Sequence, residues 1–210
     1  CHIYIDKSGD FQAAGGTTSL YLQKFSLVSG NFHAPSGTLA VGGAWGSSQN
    51  LFTHSGGNFH DSNGTVLFDP VVNSWTGSPT FTFDVIPSTQ LYNLTLNAST
   101  CCNTAIIASA AGDSVEVKNN LTHSDGSVSG TFQLKNNLIV NSGSDGGTGV
   151  IYIDGSSTQT YTTNGSHLTC HLSINKAAGA FEAAGGTTSL YIQKFTLANG
   201  TFNAPSGTLA

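Results

Sequence analysis

Charged residues are scarce in this chain, and their scarcity excludes several classes of protein. Asp, Glu, Lys and Arg make up 8% of the 210 residues, against about 25% in ordinary globular proteins. Six Lys plus Arg and a net charge of −5 provide no basic face for nucleic acid and no basic amphipathic helix for a membrane surface. No apolar run approaches the roughly 20 residues of a membrane span. We therefore expect no nucleic-acid partner and no membrane span.

Methionine is absent, and one stretch of 30 residues occurs twice. "FQAAGGTTSLYLQKFSLVSGNFHAPSGTLA", residues 11–40, returns at residues 181–210 with 23 of 30 positions identical. The match extends back to Cys1 and Cys170 with one inserted residue. This period predicts one full unit at 1–169, with degenerate halves at roughly 1–88 and 89–169, and the start of the next unit at 170–210. Since the chain opens without an initiator Met and stops within the second copy, we expect a window of a longer array.

The local pattern predicts strands and no sustained helix. Segments such as "SLYLQKFSL", "TVLFD", "LYNLTLN" and "GVIYID" are short, alternate in polarity and are rich in β-branched and aromatic residues. Turn dipeptides such as Asn63-Gly64 and Asp125-Gly126 separate them. Only residues 104–112, "TAIIASAAG", fit a short helix as well as a strand.

Two all-β architectures fit this pattern. One is a β-solenoid (β-helix) of stacked coils of about 20 residues, and the other is a row of tandem β-sandwich domains. The segment spacing, the small and amide residues at turns, and the lack of a Pro-rich or charged linker favour the solenoid. Eight coils at about 4.8 Å would make a unit roughly 40 Å long.

Several phrases carry a resemblance to a known class of repeat. "FTHSGGNFHDSNGTVLFDP" (Phe52–Pro70), "LYNLTLN" (Leu91–Asn97) and "GNFHAPSGTLAVGG" (Gly30–Gly43) resemble the degenerate repeats of very large bacterial surface and secreted proteins. That resemblance implies β-helical stalks and adhesins, similar in architecture to filamentous haemagglutinins, with an extracellular structural role and no catalytic residues. The cysteines and the close 170-residue repeat depart from the usual pattern and point toward a more regular polymer.

The cysteines are candidates for disulfides or cross-links, and they are Cys1, Cys101, Cys102 and Cys170. In a solenoid, Cys102 and Cys170 would lie about three coils, roughly 14 Å, apart, beyond the roughly 7 Å Cα limit for a disulfide. Three interpretations stay open: a vicinal bridge between Cys101 and Cys102, pairing between neighbouring chains, or unpaired thiols. Cross-links would require an oxidising extracellular setting.

Other polar residues do not form a recognisable reactive site. No C-x₂-C pair suggests zinc, and His54 and His60 lie six residues apart, a poor spacing for two ligands on one strand face. Glycosidases and lyases need two or three converging carboxylates, yet Asp6 is replaced by Asn175 in the second copy. We expect no enzyme, no cofactor and no metal.

Six phenylalanines each follow a Gly-x pair, and they are candidates for a core stack. Their alternative role is a stripe that stacks on sugars. They are Phe11, Phe32, Phe59, Phe132, Phe181 and Phe202.

Repetition itself predicts the function. A coil cannot bury its apolar side alone, whereas stacked coils can, so a repeating chain lengthens in one dimension. We expect a structural segment of an extracellular fibre or stalk that associates with itself end to end, laterally or through disulfides. The alternative is an adhesin module that binds polysaccharide or another cell surface. Differences between the copies are mostly polar or conservative, which favours the fibre.

Overall fold

The computed structural model describes residues 1–72, 77–100, 105–163 and 168–210, and its regular structure is entirely β. The backbone winds through the stacked turns of a β-solenoid, and the strands of the described residues pair in parallel. The prediction of a β-solenoid is therefore confirmed, and tandem sandwiches are excluded for these residues. Residues 105–112, which also fitted a helix, contain a strand.

Twenty-one strands follow one another along the described parts of the chain. The first eleven are β1 (His2–Gln12), β2 (Ser19–Leu22), β3 (Lys24–His33), β4 (Thr38–Trp45), β5 (Gln49–His54), β6 (Asn58–His60), β7 (Thr65–Val72), β8 (Thr80–Val85), β9 (Gln90–Leu91), β10 (Asn93–Asn97) and β11 (Ser99–Thr100). The others are β12 (Ile106–Ser109), β13 (Ser114–Val117), β14 (Leu121–Ser129), β15 (Thr131–Leu134), β16 (Leu138–Ser144), β17 (Val150–Ile153), β18 (Gln159–Thr163), β19 (Leu168–Ala183), β20 (Ser189–Asn203) and β21 (Thr208–Leu209).

The strands form three faces, and each face is a ladder of parallel strands. The first face contains the start of β1 and of β3, then β5, β8, β12 and the end of β14. The second contains the ends of β1 and β3 with β6, and further along β13, β15 and β17. The third contains β2, β4, β7, β10, the start of β14, β16 and β18. Successive rungs are 17 residues apart at Leu121 and Leu138 and 32 apart at Gln49 and Phe81, so coil length is less uniform than the sequence suggested.

Alternation within the strands fills the interior. In "TFTFDV" of β8 and "TFQL" of β15 every second residue is buried, because successive side chains of a strand point to opposite sides. Buried residues at matching register then stack from coil to coil. One such column on the third face runs through Leu39, Val66, Leu94, Leu121, Leu138 and Tyr161.

The two sequence copies adopt the same pairing register. In the first copy His2 pairs with Lys24 and Phe11 pairs with Phe32. In the second copy the corresponding pairs are His171 with Lys194 and Phe181 with Phe202. The bulges match too, since both long strands shift register between the paired halves. The same sequence therefore forms the same pair of coils in both places.

The second copy is rotated by one face relative to the first. The first-face ladder that begins at β1 climbs through β3, β5, β8, β12 and β14 to the isolated bridge between Asp145 and Leu168. The equivalent of the start of β1, residues 171–174, pairs instead with β17 on the second face. One unit therefore makes about seven and a third turns. At about 4.8 Å per turn it spans roughly 35 Å, slightly less than the 40 Å expected.

Candidate functional site

The six phenylalanines named from the sequence lie in or against the hydrophobic core. Phe32, Phe132 and Phe181 are buried, and Phe11, Phe59 and Phe202 are partly buried and pack against the core. They divide into separate columns, because the copies occupy different faces. The ring centroids are 6.0 Å apart between Phe11 and Phe32, 5.7 Å between Phe32 and Phe59, and 6.2 Å between Phe181 and Phe202.

The two described cysteines are free thiols in different environments. Cys1 is exposed, whereas Cys170 is buried at 0% exposure. Burial raises the pKa of Cys170 to about 12, which suppresses its reactive thiolate at neutral pH. No disulfide joins cysteines within the described residues, and Cys101 and Cys102 lie outside them. Because seven turns separate the coils of Cys1 and Cys170, these two cannot pair within one chain.

Lys176 holds the coil of β19 to the loop between β17 and β18. Its side chain is 1% exposed, and its Nζ donates to the Gly155 carbonyl at 2.7 Å, the Ser157 carbonyl at 2.8 Å and Gln159 Oε1 at 2.5 Å. Gln159 is itself buried, and its Nε2 donates to the carbonyls of Leu134 and Asn136. Burial lowers the pKa of Lys176, and the charge of Asp154 acts in the opposite direction. A single ammonium thus binds three acceptors, one of which, Gln159 Oε1, also accepts a hydrogen bond from Gly155 N at 2.9 Å.

Both outermost coils present apolar side chains. On the last coil Phe195, Leu197 and Leu209 are 37%, 48% and 47% exposed. On the first coil Tyr4 and Tyr21 are 62% and 71% exposed. Within the described residues, no strand pairs with the outer edge of β1. The outer edge of β20 pairs only with β21, at residues 189–190. These two edges are the places where the backbone of the solenoid offers free hydrogen-bonding groups.

A cavity of about 320 Å³ opens beside Cys1 at the edge of the first coil. It is lined by residues of the first three coils, including Tyr21, Gln23, Gly43 and Val71. At the same place in the second copy, Gln193 Oε1 accepts a hydrogen bond from Gly147 N at 2.9 Å. Leu168 pairs there with Tyr191, the copy of Tyr21. The cavity therefore occupies the position that a preceding coil fills in the second copy.

Amide side chains form ladders along the outside of the coils. Asn119 Nδ2 donates to Asn93 Oδ1 at 2.9 Å, and Asn136 Nδ2 donates to Asn119 Oδ1 at 2.7 Å. A more exposed ladder runs from Asn58 through Asn31 to Asp10. These ladders join neighbouring coils at their corners, as the backbone bonds do along their faces.

Two histidines form hydrogen bonds in the interior of the solenoid. His54 and His123 are buried, and burial lowers the pKa of each. His54 Nδ1 lies 2.7 Å from Thr89 Oγ1, and His123 Nε2 donates to the Gly126 carbonyl at 2.8 Å. The described ranges contain no group of three or more His, Cys, Asp or Glu placed to hold a metal ion. They also contain no helix with the length and hydrophobicity needed to cross a membrane.

Two features of this site escaped the sequence interpretation. Lys7 and Lys176 occupy equivalent positions after His-x-x-x-[Asp/Asn], and the retention of a cation in so uncharged a chain could have marked them. The tripeptide Lys-Asn-Asn occurs at residues 118–120 and 135–137, 17 positions apart. That spacing equals one coil at this point and could have predicted the amide ladder.

Comparison with known proteins finds no protein-family profile, no curated protein and no solved structure that matches the chain. Its architecture is nonetheless plain: this chain is a parallel β-solenoid whose sequence and register repeat.

Proposed function

We propose that this chain is a structural segment of a long extracellular fibre or stalk, which extends by stacking coils end to end. The observation that carries the proposal is a comparison of three residues with their copies. Phe25, Leu27 and Leu39 are 0%, 0% and 1% exposed, because β5 and β7 cover them. Their copies Phe195, Leu197 and Leu209 are at least 37% exposed on the last coil.

Covering these side chains is favourable for two reasons. Each buried apolar side chain contributes roughly 1.5–3 kcal/mol when it leaves water. A further coil also pairs the free edge of β20, whose unpaired groups are a template for another strand. The same sequence is already covered in this way at residues 24–40. Addition of coils therefore continues an interaction that the solenoid already contains.

The low charge of the chain supports close stacking, since few like charges oppose one another across coils. The resemblance of residues 52–70 to repeats of bacterial surface proteins supports a location outside the cell and an adhesin-like stalk. In an array, the topology of one unit advances the fibre by roughly 35 Å and rotates it by one face.

Analytical ultracentrifugation with negative-stain electron microscopy tests the proposal on the full chain. We expect elongated assemblies that grow with concentration. Phe195→Glu, which places a charge on the open edge, should keep the chain monomeric. Tyr152→Glu is the matched control, because Tyr152 is similarly exposed, at 38%, but lies on an interior coil. A wild-type chain that stays monomeric, or equal effects of the two variants, would contradict the proposal.

A further inference from the structure

We infer that a cavity on the side of the solenoid binds a neutral saccharide, with the ring of Tyr152 as the surface on which a sugar stacks. The cavity lies at the corner between the first and second faces and has a volume of about 460 Å³. Ligand pockets commonly enclose about 300–1,000 Å³. The residues that line it belong to the coils of β12, β14 and β17, which are interior coils. Their exposure therefore does not come from an uncovered end of the solenoid.

A turn between β12 and β13 forms one wall of the cavity. The register of β12 with β14 and of β13 with β15 places residues 109–113 of one coil opposite Gly130 alone in the next. Four residues therefore have no counterpart, and they project from the corner, where Ala111 and Gly112 are exposed. This projection gives the side of the solenoid a concave site of the kind that small ligands occupy.

Hydrogen bonds hold the projecting turn in place. Ala110 N donates to the Phe83 carbonyl at 2.7 Å, and Asp113 N donates to the Ala110 carbonyl at 3.0 Å. Asp113 Oδ2 accepts from Val85 N at 2.9 Å. Because the wall is already ordered, a ligand does not have to order it on binding, which lowers the cost of association.

Tyr152 supplies an aromatic surface beside this wall. Its side chain is 38% exposed, although β17 pairs with β15 on one side and with β19 on the other. Within the described ranges, it is the one exposed tyrosine, tryptophan or phenylalanine that lies on an interior coil. An exposed ring of this kind packs against the apolar side of a sugar, while its hydroxyl group stays in contact with water.

The rest of the lining is small and rich in hydroxyl groups. Hydroxyl groups both donate and accept hydrogen bonds, as those of a sugar do. They belong to Ser109, Ser114, Ser129 and Thr131.

The charge of the lining favours a neutral ligand. Among the described residues that line the cavity, only Asp113 is charged, and its carboxylate already accepts the bond from Val85. A phosphate or an acidic sugar would therefore meet a carboxylate and no cation. Ser114 Oγ is buried without a hydrogen-bond partner, so a change of its χ1 rotamer toward a ligand would break no hydrogen bond.

The test uses the full chain under dilute conditions and three neutral probes: cellohexaose, chitohexaose and maltohexaose. Saturation-transfer NMR measures binding, and we expect at least one probe to bind. The bound probe at saturation should slow nitration of Tyr152 by tetranitromethane several-fold, as followed by mass spectrometry. Tyr4 is 62% exposed and distant from the cavity, and its nitration rate should not change.

Three variants test the role of the ring. Tyr152→Ala should weaken binding by about tenfold or more, because it removes the stacking surface. Tyr152→Phe keeps the ring and should retain the affinity. Tyr4→Ala is the matched control, because it removes another exposed ring, and it should bind the probe as the wild type does. Nitration of the wild-type chain locates the site even if Tyr152→Ala does not fold.

The outcomes separate this inference from the proposed function, on which it does not depend. Failure of all three probes to bind, or unchanged nitration of Tyr152 with a bound probe, would overturn the inference even if the chain forms filaments. Protection of Tyr152 supports it even if the chain stays monomeric. Phe195→Glu, which should block assembly, should leave binding of the probe unchanged.

Discussion

The ammonium of Lys176 donates to the carbonyl of Gly155 at 2.7 Å, across the boundary between two coils. The bond joins a residue of the second sequence copy to a loop that belongs to the first unit. It is one of three that the same Nζ makes inside the solenoid. Neighbouring units are therefore held together by a specific polar contact as well as by stacked apolar columns.

Replacement of Lys176 should destabilise the chain where replacement of Lys7 should not. Lys176→Ala removes three hydrogen bonds made by one charged donor, and we expect a loss of about 2–3 kcal/mol in the free energy of unfolding. Lys7→Ala changes an exposed side chain and should leave that free energy unchanged. Urea denaturation followed by far-UV circular dichroism measures both values. Equal stability of the two variants would show that the buried bonds of Lys176 contribute nothing.

Aromatic stacking in the interior should contribute more to the free energy of unfolding than the hydrogen bonds of Lys176 do. Phe83 is fully buried, and its ring lies 4.2 Å from that of Phe68. Phe83→Ala should lower the free energy of unfolding by about 3–5 kcal/mol, because it removes the buried ring and leaves a cavity. Phe195→Ala, at a 37% exposed position of the last coil, should cost less than half as much in the monomer. Thermal unfolding of the two variants under dilute conditions provides the comparison, and a smaller effect at Phe83 would contradict it.

The partly buried amide ladder should contribute more to the free energy of unfolding than the exposed one. Asn119→Ala removes one bond to Asn93 and one from Asn136 at a partly buried corner, and we expect a loss of about 1–2 kcal/mol. Asn58→Ala is the control, since its bond to Asn31 is exposed to competing water. Chemical denaturation should rank the variants in this order. A reversed order would mean that the ladder follows from the fold and does not stabilise it.

Acid should weaken the fold through its buried histidines. Burial lowers the pKa of His123 in the folded state, while an unfolded histidine titrates near pH 6.5. Below that pH the unfolded chain binds more protons, so stability is full above about pH 6.5 and falls as the pH drops toward the folded pKa. One such histidine changes the free energy of unfolding by up to about 1.4 kcal/mol per pH unit.

Unfolding free energies measured between about pH 7 and pH 5 test this dependence. His123→Asn should reduce the slope, and His60→Asn, at an exposed position, is the control. A slope that is the same in wild type and in His123→Asn would remove His123 as its cause.

Much of the fold was predictable from local features. Strand alternation in segments such as residues 65–69 and the 170-residue repeat predicted stacked parallel coils, because only stacking buries the apolar side of each strand. Alternation also indicates which side of a strand each phenylalanine occupies. The division of the phenylalanines into columns was not predictable, since it depends on the one-face rotation of the second copy, which arises from the summed length of seven unequal coils.

The environment of the residues in the candidate site was harder to predict from the sequence. The sequence marks Lys7 and Lys176 as equivalent, yet the first is exposed and the second is buried. This difference comes from a neighbouring coil distant in sequence, and no local pattern encodes it. The cysteines show the same limit: Cys1 and Cys170 stand at equivalent positions of the repeat, but Cys1 is exposed and Cys170 is buried, which raises its pKa.

Cryo-electron microscopy of assemblies of the full chain tests the central claim most directly. If open coil edges are where the protein extends, the strands run perpendicular to the filament axis. The spacing of about 4.8 Å between coils then continues without a break across the junction of two chains. Filaments in which the solenoids lie side by side with their end coils uncovered would contradict the account.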